Sequence, residues 1–375
     1  MVCRILAMKD GRIVEAGTHQ NCCNKMASMH ICTTPSPVST AIPLKTAPEA
    51  DSKVNFLAPR FWLTWLGMAL VWPLQLLPYR LQLAIGRNLG RLFKRFNPYR
   101  RSIVRTNLEL CFPEQGNRER GQLEDRFYES LGMSIIETTA GLWAPGSFFE
   151  KFGTIEGLEH LETARRQGKG VLLLSGHFCS VDFAGRILLN HYPVCFTYQE
   201  LRNKLSDRVV KRAREKYIKL LIHRHDLRGF IRALKSGEVV WYAPDQSQAQ
   251  KDSVFAPFFG VQANTLTATT KLAKMTGAAV LPFEIKRLPD ARGYALTIQS
   301  ALENFPGDSE TADATRFNAL LEAQVRENPE QYLWTHRRFK HRPEGEVKLY
   351  TQKPRRVRRM KRQRKQRAAQ NPDTK

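Results

Sequence analysis

Two hydrophobic patterns alternate along the chain from about residue 120 onward. Short apolar runs at 170–174 (GVLLL), 193–198 (PVCFTY), 238–243 (EVVWYA), 279–285 (AVLPFEI) and 294–299 (YALTIQ) predict β-strands. Between them, apolar positions recur at helical intervals near 121–141, 182–190, 205–222, 226–236, 265–277 and 311–327. Asp226 and Gly237 suit the start and stop of one of these helices. Strands alternating with helices predict an α/β fold, with a mostly parallel central sheet flanked by helices.

The N-terminal third reads differently. Phe61–Pro78, FWLTWLGMALVWPLQLLP, carries no charge over eighteen residues, close to the length that spans a bilayer. Pro73 and Pro78 shorten or kink such a helix, and Trp62, Trp65, Trp72 and Tyr79 are residue types that favour membrane interfaces. The expectation is a single N-terminal membrane helix, spanning or interfacial. Arg80, Arg87, Arg91, Lys94, Arg95, Arg100 and Arg101 follow it, while only Lys53 and Arg60 lie close before it. The positive-inside rule then puts the C-terminal body in the cytoplasm. Residues 1–52 contain a Pro/Ser/Thr-rich linker, TTPSPVSTAIPLKTAP (33–48), and are expected to be a disordered leader. Its opening, ILAMKDGRIVEAGTH (5–19), resembles a piece near the end of transporter ATPase domains. No Walker motif accompanies it, which fits a misplaced start or a gene boundary better than ATPase function.

Charge adds a partner class. The 375 residues carry 59 Lys plus Arg against 35 Asp plus Glu, a net charge of +24, which calls for an anionic partner. Ten of those charges sit in KPRRVRRMKRQRKQR (353–367), which has little to bury and is expected to be disordered. About +14 remains on the body. The seven cysteines, odd in number and irregular in spacing, argue against a disulfide framework. Neither His19, Cys22, Cys23, His30 and Cys32 nor any other set has standard metal-ligand spacing, so no metal is expected.

Candidate chemistry lies where the first strand ends, in VLLLSGHFCSVD (171–182). His177 follows the strand at once, on the carboxyl edge where open α/β sheets bind ligands. Asp182 comes five residues later. On one helix that spacing turns a side chain by about 140°, so the two can meet only if His177 lies in the turn before a helix and Asp182 within it. A carboxylate that fixes the imidazole tautomer makes histidine a base for an attacking hydroxyl. A structural His–Asp contact satisfies the same spacing.

The H-x4-D motif after an apolar strand resembles that of glycerolipid and lipid A acyltransferases. Further blocks are similar to the late acyltransferases of lipid A biosynthesis, the lauroyl/myristoyl enzymes: NLELCFP (107–113), EGLEH (156–160), GKGVLLLSGHF (168–178), GEVVWYAPDQ (237–246), SVFAPFFG (253–260) and PEQYLWTHRRF (329–339). They stand in the family's order, and the resemblance covers about 56–343. It implies a glycerolipid-acyltransferase-like fold and transfer of a fatty acyl chain from acyl carrier protein to the 3-hydroxyl of an acyl chain on a Kdo-bearing lipid A precursor. His177 would be the base, Asp182 its orienter, and no cofactor is needed. Pattern, charge and resemblance together divide the chain into the leader 1–52, a membrane-anchoring helical region 53–96, an acyltransferase domain 97–345 and a polybasic tail 346–375. The implied location is the inner membrane, with the catalytic domain facing the cytoplasm and anionic lipids as further partners.

Other positions are candidate substrate contacts. Asp245 and Gln246 end a strand on the same edge as His177, though a turn or cap role suits them equally. Arg337 and Arg338 suit a phosphate or carboxylate. Where the family's pattern reads Tyr-Arg-Pro and then Asn-Pro, this chain has Gln199, Glu200 and Lys204, which leaves Arg202 as the nearest substitute for a phosphate-binding arginine. The basic amphipathic stretch 206–222 suits headgroups or an acidic carrier protein. Competing readings are weaker. Glycerophosphate acyltransferases carry a Pro-Glu-Gly-Thr-Arg-type block where this chain has Ala-Pro-Asp-Gln. A serine hydrolase lacks its G-x-S-x-G elbow. Nucleic-acid binding lacks aromatic interleaving in the basic tail, and a membrane scaffold leaves the His–Asp motif unexplained.

Overall fold

The computed structural model describes residues 4–9, 12–18, 54–248 and 252–350. The chain forms two separate units, 1–55 and 56–375. In the first, β1 (Arg4–Lys9) and β2 (Arg12–Thr18) pair as an antiparallel hairpin within the expected leader. The rest of that leader, including Cys22, Cys23 and Cys32, and the polybasic stretch 353–367 lie outside the described residues.

The second unit opens with the apolar stretch, which does not form one long helix. Helix α1 (Trp62–Val71) gives way to a 3₁₀ turn, Trp72–Leu76. Pro73 has no N–H to continue the α-helical ladder, and Pro78 stands just before the next helix. No helix among the described residues is long and apolar enough to cross a membrane. The expected spanning anchor is therefore absent from this stretch; ten helical residues reach only about 15 Å. Yet α1 has no buried residue, and Trp62, Leu63, Leu66 and Leu70 are all exposed.

Helix α2 (Tyr79–Phe96) buries Tyr79, Leu83, Gly86 and Gly90. A second stripe at Leu81, Leu89, Leu92 and Phe96, three to eight residues apart along the same helix face, stays exposed. Helix α3 (Pro98–Cys111) starts where the Asn97 side chain accepts from the Arg100 N–H, with Pro98 at its first position. Then comes the 27-residue α4 (Asn117–Trp143). Glycine lets α2 and α4 cross backbone to backbone: a Cβ on Gly90 would lie 1.9 Å from the Tyr128 carbonyl oxygen, and one on Gly132 2.1 Å from that of Gly86.

The α/β body follows: α5 (Gly146–Glu150), β3 (Gly153–Glu156), α6 (Leu158–Arg166), β4 (Val171–Leu174), α7 (Val181–His191), β5 (Cys195–Tyr198), α8 (Lys204–Glu215), β6 (Leu221–His223), α9 (Leu227–Lys235) and β7 (Val239–Tyr242). A hairpin of β8 (Ser253–Phe258) and β9 (Val261–Leu266) precedes α10 (Ala268–Thr276), β10 (Ala279–Arg287), β11 (Tyr294–Ile298) and α11 (Glu310–Glu327). The main sheet runs β3-β11-β10-β4-β7-β5-β6; β10, β4, β7, β5 and β6 are parallel, and β11 turns back antiparallel to β10. This is the expected mostly parallel α/β sheet flanked by helices. On β4, Leu172 and Leu174 join one buried cluster while Val171 and Leu173 join another, so both sheet faces are covered.

A candidate active site at the edge of the sheet

The site is built by register. On neighbouring parallel strands, Leu174 of β4 pairs with Tyr242 of β7. Three residues beyond each stand His177 and Asp245. Gly176 permits the turn, since a Cβ there would sit 2.3 Å from Leu321 Cδ1 of α11. Beyond it the chain is pinned to the C-terminal block: the Leu333 N–H donates to the His177 carbonyl at 3.0 Å, and the Cys179 N–H to that of Gln331 at 2.8 Å.

Asp245 holds His177 twice. Its Oδ2 accepts from the His177 backbone N–H at 3.0 Å, and its Oδ1 meets the ring Nδ1. The Tyr332 hydroxyl donates to Oδ2 at 3.0 Å. Asp245 is 1% exposed, whereas the His177 side chain keeps 33% of its surface open to the cavities in front of it. With Nδ1 occupied by a carboxylate, Nε2 is the nitrogen left to act as base. Burial opposes charge on the imidazole, but the adjacent Asp245 carboxylate outweighs it and raises the His177 pKa above that of ordinary histidine. Burial also opposes charge on Asp245; His177, its hydrogen bonds and Arg338 nevertheless hold the carboxyl well below the usual range.

The expected His177–Asp182 pair does not form. Asp182 lies in the first turn of α7 and points to other elements: Oδ1 meets the Arg214 guanidinium of α8, and Oδ2 accepts from Thr138 Oγ1 of α4 at 3.2 Å. The turn of the helix carries Asp182 away from the imidazole nitrogen that Asp245 already occupies. Both residues still line one cavity.

Two cavities meet at His177, sharing Thr197 and Ala243. One, of about 160 Å³, runs between α7 and α8 past Asp182, Gly185, Leu189, Ile218 and Trp241. The other, of about 400 Å³, passes Gln246, Arg224, Phe230, Lys271 and Met275. Gln246 thus lines the larger cavity. Asp245 serves the imidazole instead of facing ligand. Arg338, expected to bind an anion, is 1% exposed and donates to the Asn264 carbonyl (2.6 Å), Thr265 Oγ1 (2.9 Å) and Asn318 Oδ1 (3.0 Å), fastening β9 to α11. Arg337 is half-buried and Arg202 exposed, and neither lines the two cavities. His336 accepts from the Ser247 N–H at 3.2 Å, and burial, the largest influence, pushes its pKa down to about 4. Among the described residues, no group of three His, Cys, Asp or Glu is placed to hold a metal ion.

Sequence reasoning missed Tyr332, Arg214 and Thr138. The first two stand in regions already singled out, but no spacing marks them as partners of Asp245 and Asp182. Asp245 was singled out for its place on the same edge, but its pairing with His177 follows from the register of Leu174 with Tyr242, which spacing along one chain does not give.

Comparison with known proteins bears on what such a site does. Residues 49–341 match the family model described as bacterial lipid A biosynthesis acyltransferase. The chain is 40% identical over 304 residues to the lipid A biosynthesis palmitoleoyltransferase of Escherichia coli (strain K12), covering 81% of this chain and 99% of that protein. It is also 40% identical over 295 residues to the lipid A biosynthesis lauroyltransferase of the same organism, covering 78% and 96%. The 1-acyl-sn-glycerophosphate (LPA) acyltransferase of Thermotoga maritima is similar over 68% of this chain and 99% of its own, at 13% identity and a TM-score of 0.33, a likeness too distant to bear on function. On the first two grounds, the chain belongs to the bacterial lipid A biosynthesis acyltransferases.

Proposed function

We propose that this enzyme moves a fatty acyl chain from acyl carrier protein to the 3-hydroxyl of an acyl chain on a Kdo-bearing lipid A precursor. The observation that carries the mechanism is the buried Asp245 carboxylate on Nδ1 of His177, at the junction of two cavities. His177 Nε2 takes the proton of the acceptor hydroxyl as its oxygen attacks the thioester carbonyl. The tetrahedral intermediate collapses, the C–S bond breaks, and the thiolate takes the proton from the imidazolium. Asp245 holds the tautomer and stabilises the imidazolium throughout, contributing about 10²–10⁴ in rate together with the base. Two cavities at one base suit a donor chain and an acceptor chain that must meet there.

The reaction's lipid acceptor calls for a membrane, and the exposed apolar surface of α1 and α2 supports one. Trp62, Leu63, Leu66, Leu92 and Phe96 are exposed beside Arg80, Arg91 and Arg95. Apolar and basic residues combined in this way suit a helix pair lying in the headgroup region of an anionic leaflet rather than across it. The enzyme would then rest on the cytoplasmic face of the inner membrane. The test is transfer of a labelled acyl group from acyl carrier protein to the precursor, followed by mass analysis. Wild type should yield a product one acyl chain heavier, and folded His177→Ala should yield none. Ordinary turnover in that variant would remove His177 from the mechanism.

A further inference from the structure

Arg186 stands out in the smaller cavity. It is 8% exposed and lies on α7 four residues beyond Asp182, about 6 Å further along the helix. Its guanidinium is stacked between rings, 3.9 Å from the Tyr217 centroid and 5.0 Å from that of Phe149. Among the described residues no carboxylate or carbonyl accepts from it, and its Nε is buried without a partner. The cavity's other charges are matched, His177 with Asp245 and Arg214 with Asp182. Stacking on aromatic faces recovers only part of what a guanidinium loses on leaving water. Burial accordingly lowers the Arg186 pKa, and only the adjacent Tyr217 hydroxyl acts in the other direction.

We infer that Arg186 binds an oxyanion of the substrate, and that this anion is a phosphate of the lipid acceptor. The inference rests on reading His177 as the base of acyl transfer. A guanidinium offers paired donors to phosphate, and this one lies within the same cavity as the base. An acceptor whose hydroxyl sits at His177 can place its headgroup phosphate there. The phosphodiester of a carrier's prosthetic arm lies at the opposite end of that arm from its thioester, which disfavours the donor as the source.

The experiment compares the phosphorylated acceptor with the same lipid after enzymatic removal of its phosphates, using wild type and Arg186→Gln. Wild type should discriminate against the dephosphorylated acceptor, and the variant should lose that discrimination. Its KM for the phosphorylated acceptor should rise about 10- to 100-fold, the scale of a lost charge-assisted hydrogen bond, while the KM for acyl carrier protein stays unmoved. Equal losses on both acceptors would make Arg186 a wall of the cavity and overturn the inference. So would a rise in donor KM alone, which would assign the phosphate to the carrier. Inorganic phosphate and pyrophosphate, tested on wild type, keep the question open to measurement if the variant misfolds. Inhibition competitive with the acceptor is expected, and inhibition competitive with the donor alone would overturn the inference. Wild type that transfers to neither acceptor would sink the underlying reading along with this one.

Discussion

The residue that decides the chemistry is the one that holds His177. A carboxylate five positions along the chain and one on the next strand both suit an imidazole, and sequence spacing favours the first because it is local. Register decides for the second. Leu174 lies beside Tyr242, so His177 and Asp245 project from the same place on the sheet edge. Replacing Asp245 by Asn keeps the shape, but its amide cannot stabilise the imidazolium and favours the wrong tautomer. Steady-state kinetics should show kcat/KM lower by about 10²–10⁴. His177 itself was legible from a strand, a glycine and a histidine in sequence. Its partner was not, because a contact across 68 residues depends on pairing that single-chain spacing does not encode.

At the scale of elements, the long apolar runs became the strands and helices expected of them, with ends shifted by a few residues. The misses have physical causes. β6 is three residues long, and its apolar run continued the pattern of α8, so 205–222 read as one helix; the helix ends at Glu215 and Leu221 pairs with Phe196. β8 and β9 mix polar and apolar positions around a Phe259-Gly260 turn in which both residues have positive φ. In the N-terminal stretch, Pro73 ended the helix too early to span a bilayer. The apolar surface that this leaves on α1 carries a prediction. Glu at both Leu63 and Leu66, which are 83% and 55% exposed, should leave the melting temperature unchanged. Each buried leucine is worth about 1.5–3 kcal/mol, so binding to anionic vesicles in a flotation assay should fall at least about tenfold. Unaltered binding would remove α1 from the membrane contact.

The unit formed by residues 56–375 is tied together by a buried polar network. Arg287 at the end of β10 meets Glu137 of α4 at 2.5 Å and donates to Ser130 Oγ at 2.7 Å and to the Tyr294 hydroxyl at 2.9 Å; the Tyr79 hydroxyl of α2 reaches Glu137 at 2.7 Å. Sheet and N-terminal helices share these groups. Glu137→Ala leaves a guanidinium buried without its counter-charge, and chemical denaturation should show a loss of about 3–5 kcal/mol. A loss below about 1 kcal/mol would mean that water reaches Arg287. The sequence blocks that mark the family also divide by role at this scale. Asn107 of NLELCFP donates to the carbonyls of Trp334 and His336, and Arg338 of PEQYLWTHRRF fastens β9, so both blocks hold the fold around the site. GKGVLLLSGHF and GEVVWYAPDQ contribute the hydrogen-bonded pair His177 and Asp245.

The pH dependence of kcat/KM for acyl transfer, in wild type, Asp245→Asn and Asp182→Asn, tests the pairing of His177 with Asp245 most directly. A base must be unprotonated, so activity falls as pH drops through the pKa of His177. With the Asp245 carboxylate beside it, the wild-type acidic limb should lie above the ordinary histidine value of 6.5. In Asp245→Asn only burial remains, and the limb of the residual activity should move to lower pH. Asp182→Asn should leave the limb where it is, because Asp182 meets Arg214 and Thr138. A limb that moves in Asp182→Asn and stays fixed in Asp245→Asn would contradict the account and return the orienting role to Asp182.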